Sequence, residues 1–236
     1  MVGAVSVATA TLDGRAAVLR IDPNMVSFPM QYGSIIQNGA RGFGRNAVVL
    51  IGFSILYAIV LGLLVLADLR LTEVPTPSAG VVALICLIKL LQVAVHLIGN
   101  LALINGGLMA ARGQTFKFGQ LFSETQQLFN LLGLHVFAAV AIFLGLLAFG
   151  IPGIYLSVGY WFAAFVLVDR KVAFLDAMSG ARRMVTPHWF DVAVLLLVIG
   201  VISAVGVFAF GVGLFATVPL AVCIGASGYL QLGHSN

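Results

Sequence analysis

Lysine, glutamine, histidine and asparagine recur at helical spacing within one otherwise apolar stretch of this 236-residue chain: Lys89, Gln92, His96 and Asn100. At about 100° per residue they fall within about 80° of arc, one polar stripe on an apolar helix. Three kinds of chemistry use such a stripe. Interhelical hydrogen bonds fix helix packing. A polar cavity holds a solute or an ion; a lysine at the centre of a membrane helix costs about 2.5–3.5 kcal/mol on insertion scales and should face the bundle interior. Finally, His96 could serve as axial ligand to a haem or chlorin. No partner histidine at matching depth is evident for that role, and His135, near the start of the next apolar run, reads as structural. Lys89 is therefore expected to be shielded from lipid and hydrogen-bonded by a neighbouring helix, with Ser54 and Tyr57 as candidate partners.

The rest of the chain offers little chemistry. Gly42-x-Gly44-x-x-Ala47 and Gly211-x-Gly213-x-x-Ala216 match a loose dinucleotide fingerprint, but each opens an apolar segment and neither follows a strand of a βαβ unit. There is no Walker loop, no zincin motif and no nucleophile-elbow motif. His188 with Asp191 is a faint acid–base pair. Next to Trp189 it reads instead as a helix start anchored at the headgroup level. Cys86 and Cys223 sit in apolar runs and read as small buried hydrophobes rather than a disulfide or metal site. The net charge of +4 is modest and no basic tract is interleaved with aromatics, so no nucleic-acid partner is expected. No catalytic residue, cofactor or metal ligand set is predicted.

The elements that must position the stripe follow from composition. Apolar residues make up 61% of the chain and charged residues 8%, against roughly 45–50% and 25% in soluble domains. So little charge cannot cover a water-facing surface, and part of the solvent is lipid. Residues 1–30 form a mixed, more polar tail, better suited to a short strand or loop than to a long helix. Residues 31–236 form a transmembrane domain with apolar segments near 47–67, 79–104, 129–149, 153–168, 192–210 and 212–230. About 20 residues cross the hydrocarbon core. The fourth segment is short, so it either borrows flanking residues or forms a shallow re-entrant hairpin with the third. Gly150-Ile151-Pro152-Gly153 breaks one helix and starts the next, Gly211 and Gly213 do the same later, and Pro219 should kink the last span. Met1 to Leu12 lacks the basic residue and apolar strength of a signal peptide, so the first long run is expected to act as an uncleaved insertion signal.

Charge sets the orientation. Arg15, Arg20, Arg41, Arg45, Arg112, Lys117, Arg170, Lys171, Arg182 and Arg183 fall on one side of a six-span topology, and only Arg70 on the other. The positive-inside rule then places both termini in the cytoplasm. A threefold pattern is also present: amphipathic stretches at 32–45, 118–129 and 174–185 each precede a pair of apolar segments. They read as helices lying in the cytoplasmic interface. The fold class is all-α, a polytopic bundle of about six spans in three hairpins, each hairpin preceded by an interfacial helix. Gly200/Ala204 and Ala221/Gly225 supply small-residue pairs for close helix contact.

The stretch GIPGIYLSVGYWFAAFVLVD at 150–169, followed by FLDAMSGARR at 174–183, resembles the YciC-like family of bacterial six-span membrane proteins. It is similar also to the membrane domain of some glycerophosphodiester phosphodiesterases. The likeness runs in pattern from about residue 33 to 232 and is specific over 150–190. It implies the fold and little else; the bacterial cytoplasmic membrane is the expected location. The catalytic barrel of those phosphodiesterases has no counterpart here, so the resemblance carries no activity.

These readings lead to a non-enzymatic membrane protein, an accessory, assembly or envelope-homeostasis factor whose surroundings are the bilayer and a membrane-protein partner or second copy. The alternative is a small-solute or lipid-like transporter using the stripe. The orientation is directly measurable: a membrane-impermeant maleimide applied from outside should label a Thr76→Cys variant and spare Ser179→Cys. The reverse pattern would overturn it.

Overall fold

The computed structural model describes residues 9–12, 15–18, 30–73, 76, 78–148, 150–208 and 211–234. Near the N-terminus, Thr9–Leu12 pairs antiparallel with Arg15–Val18. All other regular structure among the described residues is helical: α1 Tyr32–Thr72, α2 Ala79–Ala111, α3 Leu128–Leu147, α4 Ile151–Tyr160, α5 Ala163–Arg170, α6 Phe174–Val185, α7 Trp189–Phe208 and α8 Leu214–His234, with short 3₁₀ turns before α3 and α7. Among the described residues, six helical segments are long and apolar enough to cross a bilayer: Tyr32–Thr72, Ala79–Ala111, Phe118–Leu147, Ile151–Arg170, Phe174–Phe208 and Leu214–Gly233. The chain is a multi-pass membrane protein.

Helix ends follow local chemistry. The Ser78 hydroxyl accepts from the Val81 N–H at the start of α2. At its other end the Gly113 N–H bonds to Ala110 and the Gln114 N–H to Met109, a Schellman closure made possible by φ +76° at Gly113. Gly150 precedes α4 with φ +77°, and Pro152 sits in the first turn, where its missing N–H costs nothing. α8 runs on through Pro219, which leaves the Phe215 carbonyl without its intrahelical donor.

Helices α1, α2 and α8 pack as a trio, and the contacts run through glycine. A Cβ on Gly39 would lie 2.6 Å from Ile224 Cα, and one on Gly42 would lie 2.4 Å from the Ala110 carbonyl oxygen. Two expectations need correcting here. The stretch 32–45 is not a separate interfacial helix but the first turns of the 41-residue α1, because the glycines that weaken it as an isolated helix let two other helices approach its backbone. The pair Gly200/Ala204 makes no such contact. Nothing lies within 4 Å of a Cβ on Gly200 and both residues are exposed, whereas Ala221 is buried and Gly225 faces the Phe165 ring.

The second stretch, 118–129, also differs from expectation. It forms two 3₁₀ turns and the start of α3 rather than an amphipathic α-helix. Two buried asparagines hold this backbone away from α-helical pairing. Asn105 Nδ2 donates to the Gln120 and Leu121 carbonyls and to Ser123 Oγ. Asn46 Nδ2 donates to the Gln114 carbonyl while its Oδ1 accepts from the Phe116 N–H. The third stretch is α6, with Ala177, Met178, Ala181, Met184 and Val185 buried and Arg182 and Arg183 exposed. Cys223 is buried, but Cys86 is exposed on the outer surface of α2, a correction to its reading as a core residue.

Gly39→Val should cost roughly 1–3 kcal/mol or more, because the clash is with backbone that cannot swing aside. Gly52→Ala, with nothing within 4 Å of the new Cβ, should leave stability unchanged or raise it by up to about 1 kcal/mol. Equal shifts of the two variants in detergent melting would remove the close-contact argument.

Candidate functional site

The stripe lies along the seam between α1 and α2, which run antiparallel. Asp68 stands opposite Lys89, Leu64 opposite Gln92, and Tyr57 opposite both His96 and Gly99. Lys89 Nζ meets Asp68 Oδ2 at 2.5 Å. Gln92 Nε2 donates to the Leu64 carbonyl at 3.2 Å, using the second lone pair of an oxygen already in the helix ladder. The Tyr57 hydroxyl and His96 Nδ1 are 3.1 Å apart. Asn100 turns to α3, with Nδ2 3.3 Å from His135 Nε2.

The expected partners of Lys89 need correcting. Tyr57 is taken by His96, and Ser54 donates to the Leu50 carbonyl of its own helix. Shielding is also incomplete: 57% of the Lys89 side-chain surface stays exposed against 11% for Asp68. Lysine sits at the edge of the pair and reaches in to a carboxylate that is nearly enclosed. The second oxygen of that carboxylate, Oδ1, is buried without a hydrogen-bond partner.

Hydrogen bonding fixes the His135 tautomer. Nδ1 lies 2.8 Å from the Leu131 carbonyl, which only accepts, so Nδ1 carries the proton and Nε2 offers its lone pair to Asn100 N–H. The Asn100 amide orientation is thereby set, with Oδ1 facing away from His135. His135 stands beside His96, ring centroids 6.4 Å apart at 78°, so the stripe histidine does have a histidine neighbour. The two rings meet edge to face, and both His135 nitrogens are engaged. That geometry suits packing and leaves no opposed pair of free ring nitrogens for a macrocycle.

The junction residues keep the hairpin between α3 and α4 tight. A Cβ on Gly153 would meet the Leu146 backbone nitrogen at 2.6 Å, and one on Gly145 would meet the Gly153 nitrogen at 2.8 Å. At the start of α7, His188 Nδ1 is 3.7 Å from Asp191 Oδ2, and the Tyr32 hydroxyl donates to Asp191 Oδ1 at 2.9 Å. Trp189 Nε1 donates to the Tyr155 carbonyl. The nearby Thr186 hydroxyl donates to the Arg182 carbonyl and lies 3.2 Å from the Tyr155 hydroxyl.

Sequence reasoning missed two groups. Arg112 pairs with Asp169, whose other oxygen accepts from the Tyr229 hydroxyl at 2.9 Å, so the ends of α2, α5 and α8 are tied together beside a polar cavity of about 690 Å³. Lys171, in the left-handed conformation at φ 53°, pairs with Glu124 at 3.0 Å. Apart from Tyr229, which lies in the last apolar segment, these residues sit in the loops between segments, far apart in the chain, and no spacing rule joins them. A second cavity, about 420 Å³ and mostly apolar, lies between α2, α3, α4, α5 and α8. Among the described residues, no three His, Cys, Asp or Glu side chains cluster as a metal site.

No family model, curated protein or solved structure matches this chain. Function therefore rests on the site itself.

Leaving the nearly enclosed Asp68 carboxylate without its cation is worse than removing both groups. Lys89→Leu should destabilise the protein more than the double variant Asp68→Leu/Lys89→Leu, with a coupling of about 1–3 kcal/mol in a double-mutant cycle. Additive effects would show that the pair is not energetically joined.

Proposed function

We propose that the protein is a non-enzymatic helical bundle of the bacterial cytoplasmic membrane, working as an accessory, assembly or envelope-homeostasis factor through helix packing and interfacial contact. The observation that carries this reading is that all four stripe side chains are bonded to other protein groups: Lys89 to Asp68, Gln92 to Leu64, His96 to Tyr57 and Asn100 to His135. A stripe spent on its own neighbours holds helices together and leaves little to offer a travelling solute. Two ion pairs at helix ends, Arg112 with Asp169 and Lys171 with Glu124, likewise join protein to protein.

In this reading both termini are cytoplasmic, and α6 lies in the inner interface with Arg182 and Arg183 toward the headgroups. The resemblance of residues 150–190 to YciC-like six-span proteins agrees with it. Exposed apolar residues along the outer halves of α1 and α2, such as Leu63, Leu66, Leu87 and Leu90, face lipid, a membrane-protein partner or a second copy. The small-solute or lipid-like transporter remains the competing reading, with the same stripe as its site.

The two readings separate in proteoliposomes. Wild type, Lys89→Leu and His96→Leu would be compared in a substrate-flux and ligand-binding screen together with thermal melting. The accessory reading expects the variants to shift melting and no substrate-dependent flux in any of the three. Flux present in wild type and lost in both variants, with melting unchanged, would establish the transporter.

A further inference from the structure

We infer that the apolar cavity between α2, α3, α4, α5 and α8 binds an uncharged amphiphile, a single-chain lipid whose head carries carbonyl and hydroxyl groups. The site is distinct from the seam and shares only Asn100 with the stripe. Its volume of about 420 Å³ is within the usual range for small-molecule sites, roughly 300–1,000 Å³. Ile104, Leu134, Ala138, Ile142, Phe165 and Val222 supply apolar wall, enough for the head-proximal part of an acyl chain, the rest of which would run out through the open mouth into lipid.

One side of the cavity is formed where a membrane-embedded helix stops. Between α4 and α5 the chain turns at Trp161 and Phe162 before helical bonding resumes with the Val166 N–H to the Phe162 carbonyl. Irregular backbone at membrane depth persists where protein buries it or where it lines a cavity. Here it does both: Phe162 is fully buried, and Trp161 lines the space.

The polar groups on this cavity have unspent capacity. The Trp161 indole N–H makes no hydrogen bond to any described residue, and neither does the Tyr160 hydroxyl, whose residue also borders a separate pocket beside Arg182 and Arg183. The His135 tautomer turns Asn100 Oδ1 away from the imidazole, leaving an acceptor. Ser157 Oγ spends its proton on the Ile154 carbonyl and keeps its lone pairs. Two donors complement a carbonyl oxygen, and the acceptors complement a hydroxyl. No lysine, arginine, aspartate or glutamate lines the cavity, so a charged head would have no counter-charge in a medium that penalises it. An uncharged hydroxy-ester fits this set, and a carboxylate or phosphocholine head does not.

The chain has two tryptophans, which gives a direct test. In a Trp189→Phe background Trp161 is the sole reporter. The full chain in detergent micelles would be titrated with monoolein brominated on its acyl chain, with brominated oleate and a brominated phosphocholine lipid in parallel. Saturable quenching by the monoolein probe is expected, relieved by excess unbrominated monoolein and at least tenfold weaker for either charged probe. Asn100→Leu should weaken it about tenfold. Ala138→Phe, which fills part of the cavity and removes none of the polar groups named, should abolish saturation. Quenching that grows linearly with probe, is not relieved by competitor, or is equal for all three head groups would identify ordinary boundary lipid and overturn the proposal. Competition and head-group selectivity are read with the cavity unaltered, so they decide the matter even if the Ala138→Phe protein is unstable.

Discussion

In hydrocarbon a polar group has no water to fall back on, and this absence shapes the molecule more than any single contact. Backbone groups answer it by becoming helix. Polar side chains answer it by finding one another. Asp68 meets Lys89, Tyr57 meets His96 and Asn100 meets His135, so the first three long helices are held in register by a line of bonds that would be worth little on a wet surface. Asn46 and Asn105 extend the same logic to the bundle's irregular backbone. They supply the donors and acceptors that the 114–123 segment lacks internally. Only then can Leu121 sit fully buried beneath Gly106 and Leu50.

Close approach is the other half of the arrangement. Lipid tails are as apolar as leucine, so helices gain nothing by merely touching. They gain by touching at short range over many atoms. Gly39 and Gly42 bring α1 against α8 and α2, and Gly107 admits Val222. The larger core then includes Phe162, Leu195 and Leu232; Phe162, from the α4–α5 turn, and Leu195 of α7 come together against Gly228 of α8. The polar seam sets which residues face each other, and the glycines set how near they come.

The span architecture was legible because hydropathy and length are local properties. The six apolar segments and the turn at Gly150 could be read directly, and so could the amphipathic face of α6. What escaped was pairing between segments. Asp68 lies just past the first apolar segment, and only the α1–α2 register makes it the partner of Lys89. Asp169 is separated from Arg112 by 57 residues and from Tyr229 by 60, with nothing in the sequence to join them. The glycines of 39–44 misled for a related reason. Propensity describes an isolated helix, and Gly39 is decided by Ile224, far away in the chain. The stripe was visible, but its alternatives could not be ranked until its hydrogen-bond partners were known.

The length of α1 has a mechanical consequence for the bilayer. At about 1.5 Å per residue, its 41 residues form a rod roughly 60 Å long. The hydrocarbon core is about 30 Å thick and the whole bilayer with headgroups about 40–45 Å. Even at about 40°, the far end of the usual range of helix tilt, such a rod would still project about 47 Å along the membrane normal. Inclination alone cannot hide it. The rod emerges past the headgroups on at least one face, and because Gly42 and Asn46 bind it to α2 and its loop, it carries neighbouring chain with it beyond the lipid boundary.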